Sequence, residues 1–172
     1  AWRWAAPVGI AMFVGLVVQA DTGVLSGYAR DPTVRSIGVG WPQLAREIEA
    51  ARVRSGATCV LASDYGTTGW LMFYLPKGAC VLQYNERIRW VNAPPPDPAL
   101  LGGKLLFVDT FNPEMQARLA QRFAQVEQIG EVSRRRGPLV IETYRLDLLV
   151  GARGDALDLS PPPEISGKRA AE

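Results

Sequence analysis

The sequence contains no histidine, which removes the commonest general base and the commonest metal ligand together. Two cysteines are too few for a structural zinc site, and no cofactor is expected. An excess of one charge is missing too. Nineteen basic against 17 acidic residues leave a formal net charge of +2, which does not suit a surface built to neutralise many phosphates, so nucleic acid is not an expected partner. No hydrolase nucleophile motif is present. What remains is a chain of 172 residues, 48% of them apolar, enough for one compact domain and cramped for two.

Long apolar runs are absent except at the start. From Trp4 to Ala20 about 17 residues pass without a charge, at the short edge of what crosses a hydrocarbon core of roughly 30 Å as a helix. Arg3, set between Trp2 and Trp4, and Asp21 at the far end fit a helix that starts at the cytoplasmic face and emerges outside. A secretory signal peptide is one rival, because Val18-Gln19-Ala20 satisfies a cleavage pattern. A buried helix of a soluble core is another, and Pro7, Gly9, Gly15 and apolar residues on every face disfavour it. The expectation is a transmembrane helix over residues 1–20. It is read as the last span of a longer protein, with the lipid bilayer as its partner.

A linker over 21–40, with a turn at Asp31-Pro32, then leads to a domain over 41–150. A helix is predicted from Trp41, with Pro42 in its first turn and Trp41, Leu44, Ile48 and Ala51 on one face. Thr58–Ala62 reads as a strand buried on both faces, Tyr65–Leu75 as a helix capped by Ser63 or Asp64, and Ala79–Gln83 as a second strand, parallel to the first. After a proline-rich excursion containing Pro94-Pro95-Pro96 come a third strand, Leu105–Asp109, and a helix opened by Asn112 and Pro113 that buries Met115, Leu119 and Phe123. Val126–Val132 and Leu139–Leu149 read as two antiparallel strands around Arg134-Arg135-Arg136-Gly137-Pro138. Residues 151–172, with Pro161-Pro162-Pro163, read as a disordered tail. The fold class is therefore α/β: three layers around a small, mostly parallel sheet, with an antiparallel C-terminal hairpin at its edge.

In open α/β sheets, ligand groups gather beyond the carboxyl ends of the strands. That rule selects Ser63, Asp64 and Tyr65, then Tyr84 and Asn85, then Asp109, Thr110 and Asn112. Asp64 and Asp109 could face each other there, and paired carboxylates can serve acid/base work or hold a divalent ion if burial or proximity separates their pKa values. The simpler reading is that each caps the helix after it. Gly66 and Gly69, at the start of a helix, could offer bare amides to a phosphate, but the dinucleotide fingerprint and the phosphate-loop lysine are both missing and close helix packing explains them better. Trp70, Phe73 and Tyr74 lie at helical spacing, which favours core over a sugar platform. Glu86, Arg87, Arg89 and Trp90 could grip an anionic or saccharide ligand or form a solvated ion-pair cluster. Arg134–Arg136 would attract lipid phosphates near a bilayer or stand as a solvated hairpin tip. Cys59 and Cys80 fall at matching positions of neighbouring strands. An exported compartment permits a disulfide there, although side-by-side strand geometry favours two buried thiols.

The apolar helix, Asp31-Pro32 and Arg35, Gly40-Trp41, Ala62-Ser63-Asp64-Tyr65, Phe73-Tyr74-Leu75-Pro76, Glu86-Arg87 and Arg89-Trp90 together resemble the carboxyl-terminal region of bacterial glycosyltransferase family 39 proteins. These are the polytopic relatives of protein mannosyltransferases and lipid A aminoarabinose transferases. The resemblance, over roughly Trp4 to Val150, implies a parent enzyme that transfers a sugar from a polyprenyl-phosphate donor on the periplasmic side of the inner membrane. The family's catalytic aspartate lies in a first external loop that this chain lacks, so no catalytic residue is carried over. Implied partners are the remaining transmembrane portion and a lipid-linked sugar or glycan acceptor. The ligand-facing candidates, Asp64, Tyr65, Tyr84, Arg87, Asp109 and Asn112, come from the strand-end rule and the charged loop and not from the resemblance. The rival reading is a periplasmic binding or interaction module tethered by one helix.

Overall fold

The computed structural model describes residues 2–22, 38–85, 96–154 and 156–157. Helix α1 spans Trp2–Thr22, and α2 spans Trp41–Ser55. Strand β1 is Cys59–Ala62, helix α3 is Tyr65–Tyr74 and strand β2 is Cys80–Gln83. A 3-10 turn at Pro98–Gly102 precedes β3, Leu105–Asp109, and α4, Pro113–Arg122. The chain then forms a long hairpin of β4, Phe123–Arg136, and β5, Leu139–Ala152. The expected turn at Asp31-Pro32 and most of the expected linker lie outside the described residues.

The five strands form one sheet in the order β2-β1-β3-β5-β4. β1 pairs in parallel with β2 on one side and β3 on the other, whereas β3–β5 and β5–β4 are antiparallel. The sheet is thus mixed, with parallel and antiparallel pairings in equal number, rather than mostly parallel. β1 and the first four residues of β3 are buried throughout, which obliges cover on both faces. Helices α2 and α3 supply it on one side, where Leu44, Ile48 and Leu71 meet Val60, Leu106 and Leu146. On the other, Met115 and Leu119 of α4 close over Leu61, Phe107 and Leu149.

Local sequence accounts for the helix ends. Pro42 lies in the first turn of α2, and Gly56 stops that helix in a left-handed conformation at φ 69°. Phe123 lies in the same core cluster as Met115 and Leu119, as its spacing predicts, but its backbone is extended and it opens β4 with no intervening loop. The hairpin is also longer than predicted, at 14 residues per strand. Gly137, at φ 53°, takes the first central position of its two-residue turn, as a type II′ connection requires. Beyond β5, Ala156 and Leu157 are buried in the α4-side core, so part of the expected disordered tail is packed; residues 158–172 lie outside the described set.

Among the described residues, no helix is long and apolar enough to cross a membrane, so the structure leaves the expected span without support. Cys59 and Cys80 pair in the β1–β2 register with their Cα atoms 4.6 Å apart and are joined in a disulfide. The preference for two buried thiols is therefore corrected: this parallel register brings the two Cβ atoms within bridging range.

Thiol titration of the denatured, unreduced protein should find no reactive thiol. Cys59→Ser with Cys80→Ser should lower stability by about 3 kcal/mol in chemical denaturation, given a loop separation of 21 residues.

Candidate functional site at the strand carboxyl ends

From β1 the chain crosses to β2 on one side, while β3 lies on the other, so the strand order reverses between β1 and β3. Loops leaving these two strands diverge, and in open α/β sheets the carboxyl ends at such a switch point are where a ligand crevice is expected. Ser63 and Asp64 enter it from β1, and Asp109, Thr110 and Phe111 from β3.

Asp64 caps α3: its Oδ1 accepts the Thr67 amide at 2.9 Å, and the Thr68 hydroxyl donates to the Asp64 carbonyl at 2.7 Å. Asp109 caps nothing. Asn112 takes that role for α4, its Oδ1 accepting the Glu114 and Met115 amides at 3.0 and 3.4 Å. Burial pushes the Asp109 carboxyl above its ordinary value, and the neighbouring Asp64 charge pushes the same way. Hydrogen bonds from Ser63 and from the Thr110 backbone and hydroxyl oppose the rise. The two carboxylates singled out in sequence are thus brought together with different duties, one bound to a helix end and one held in an environment that disfavours its charge.

Across the sheet, Arg145 of β5 stands opposite Asp109. Its guanidinium lies 5.7 Å from the centre of the Phe111 ring, and Phe111 is 65% exposed. The same Arg145 donates to both oxygens of Asp147 at 2.8 and 3.0 Å, and Gln116 of α4 donates to Asp147 at 2.8 Å. Asp147 is fully buried, so these donors supply the compensation that a desolvated carboxylate needs. Sequence inspection missed Phe111, Gln116, Arg145 and Asp147. The available signal was the acidic residue inside the apolar run Leu146-Asp147-Leu148-Leu149.

The remaining candidates divide. Tyr65 is exposed at the crevice rim. Tyr84 is in the core, edge-to-face with Phe107 at 6.2 Å between centroids, and does not face a ligand. Asn85, two residues past β2, has its Oδ1 buried and unpaired among the described residues. Arg87, with Glu86, Arg89 and Trp90, lies outside them. Trp70 stacks between Trp41 and Tyr74 at 5.9 Å from each, as core packing requires, while Phe73 is exposed. Close packing does not account for Gly69, where an added Cβ meets nothing within 4 Å. The three arginines separate: Arg134 is buried 5.4 Å from the Trp41 ring centre and paired with Glu142, Arg135 faces outward, and Arg136 donates to the Gln19 carbonyl of α1 at 2.8 Å. Glu142 also accepts the Tyr144 hydroxyl at 2.8 Å. Burial chiefly, and then the Glu142 charge, raises that phenol's pKa.

Among the described residues, no group of acidic or cysteine side chains could hold a metal ion. No family model matches the chain, nor does any curated protein or solved structure.

A carboxyl whose folded pKa is raised costs stability as pH climbs through and above its ordinary value near 3.8, and costs nothing where both folded and unfolded states are protonated. Asp109→Asn should therefore raise Tm at neutral pH, with the gain vanishing at pH 3 and below; thermal melts across pH check this. Removing the ion-pair partner strands a buried charge, so Arg145→Ala should cost about 3 kcal/mol or more in denaturant melts, whereas Asp147→Asn should cost less.

Proposed function

We propose that this chain is the membrane-anchored, extracytoplasmic end of a larger polytopic glycosyltransferase. On this reading it is not catalytic itself, and it presents its strand-end crevice on the acceptor side. The observation that carries the anchoring is the state of α1. Nine large apolar side chains from Trp4 to Val18 are 45–73% exposed, at a site where the rest of the domain has already completed two cores. Water is a poor solvent for such a surface, and lipid together with neighbouring helices is a good one. At 21 residues α1 is about 30 Å long. Because its uncharged stretch is at the short edge for a span, α1 sits beside other helices of the parent protein on this reading. The Cys59–Cys80 disulfide fits an oxidising compartment such as the periplasm. The transferase lineage rests on the sequence motifs quoted above.

A second reading keeps the anchor and drops the transferase: a tethered module that binds a ligand in the crevice. The half-buried Asp109, with Ser63, Thr110 and exposed Phe111 around it, favours that reading.

Protease added to intact spheroplasts should degrade the domain, while the intact chain should partition into detergent and a chain lacking residues 1–22 should stay in the aqueous phase. Protection of the domain in spheroplasts would overturn the topology. In the parent protein, deleting residues 41–157 should abolish sugar transfer or change acceptor choice. Unchanged transfer would overturn the transferase role and leave the tethered module.

A further inference from the structure

The last pairing of β3 with β5 is Asp109 with Arg145, yet β5 continues to pair with β4 as far as Leu139 with Arg136. Residues 139–144 and their partners therefore form a two-stranded arm reaching about 20 Å past the carboxyl ends of the parallel strands. At its tip Arg136 donates to the Gln19 carbonyl in the last turn of α1 at 2.8 Å. The bond joins a cation to the negative end of the helix dipole. It fixes the arm's tip at the end of α1 from which the domain follows.

The composition of the tip is one-sided. From Val132 to Ile141 there are three arginines and no acidic residue. Arg134 is used internally, against Trp41 and Glu142. Arg135 faces outward on the opposite side of the strand and makes no ion pair among the described residues; Gly137, Pro138 and Val140 beside it are exposed as well. An outward cation flanked by small apolar groups, held at the mouth of an apolar helix, matches the headgroup layer of a bilayer, where phosphates sit just above acyl chains.

We propose that the β4–β5 tip is a contact site for anionic phospholipid, with Arg135 on lipid phosphate and Arg136 locking the arm to α1, so that the crevice is held above the membrane surface. The proposal rests on the reading of α1 as a lipid-embedded anchor. Its test separates the two. The intact chain is mixed with vesicles of phosphatidylcholine alone or with 30% phosphatidylglycerol, in 0.1 M and 1 M salt. Binding to both vesicle types, tighter to the anionic ones and equalised by 1 M salt, is expected. Arg135→Gln should cut the anionic preference about fivefold while leaving binding to neutral vesicles unchanged. Arg54→Gln, an exposed arginine at the far end of α2, should leave the preference intact. Equal binding to both vesicle types, or an Arg135→Gln preference like that of the unaltered chain, overturns the tip proposal alone. A loss shared equally by Arg54→Gln also overturns it, since the preference would then belong to overall charge. Failure to bind either vesicle overturns the anchor and the tip together.

Discussion

Everything in this domain follows from β1 and β3 being apolar on both faces. Cys59, Val60, Leu61 and Ala62, and Leu105 to Val108 beside them, are closed to water on each side of the sheet. Strands of that kind cannot be stable with a bare face, because each buried aliphatic side chain contributes about 1.5–3 kcal/mol only if something covers it. One helical layer would leave half of that area wet. The chain answers with α2 and α3 on one face and α4 on the other, and the crevice between β1 and β3 is a by-product of sending their connections in opposite directions. The raised pKa of Asp109 has the same origin: a carboxyl at the last position of a strand whose other four residues are buried inherits part of their desolvation.

The central elements were legible because their signals are local. Four or five consecutive apolar residues, an Asp or Asn immediately before a helix and a proline inside its first turn are short-range facts, and β3 and the Asn112 cap fall where they place them. The hairpin was legible only in its middle. Its outer portions carry Ala124, Gln125, Arg134 and Arg135 on an edge strand with one side open to water, so the alternation that marks a strand fades there. Helical spacing placed Phe123 in the right core cluster and the wrong element. A residue at i+4 from Leu119 reaches the same pocket either by continuing the helix or by starting an extended chain.

The site was half legible for a related reason. Asp64 and Asp109 follow strands, and a rule about strand ends finds them. Arg145, Asp147 and Gln116 belong to the same end of the sheet through a bond between residues 31 positions apart and a pairing across β3 and β5, which no window along the chain can contain. Tyr84 was placed by the same strand-end rule and proved to be core, because the residue after β2 continues the strand's alternation and turns inward onto Phe107.

The two edges of the sheet are protected by different means, and the difference suits their lengths. β2 is four residues long and is tied to β1 by the Cys59–Cys80 bond, so it offers little open edge and cannot peel away. β4 is 14 residues long and would be a template for pairing with another chain if it were flat and apolar. Instead it is broken by register shifts at Gln128/Gly130 and Arg134/Arg135, and it carries exposed Glu127 and Glu131 on either side of its midpoint. Bulges raise local twist, and charge opposes self-pairing, so the strand can extend well beyond its neighbours without becoming an aggregation edge. That allowance is what lets β4 and β5 outgrow β3 and carry Arg136 to the end of α1.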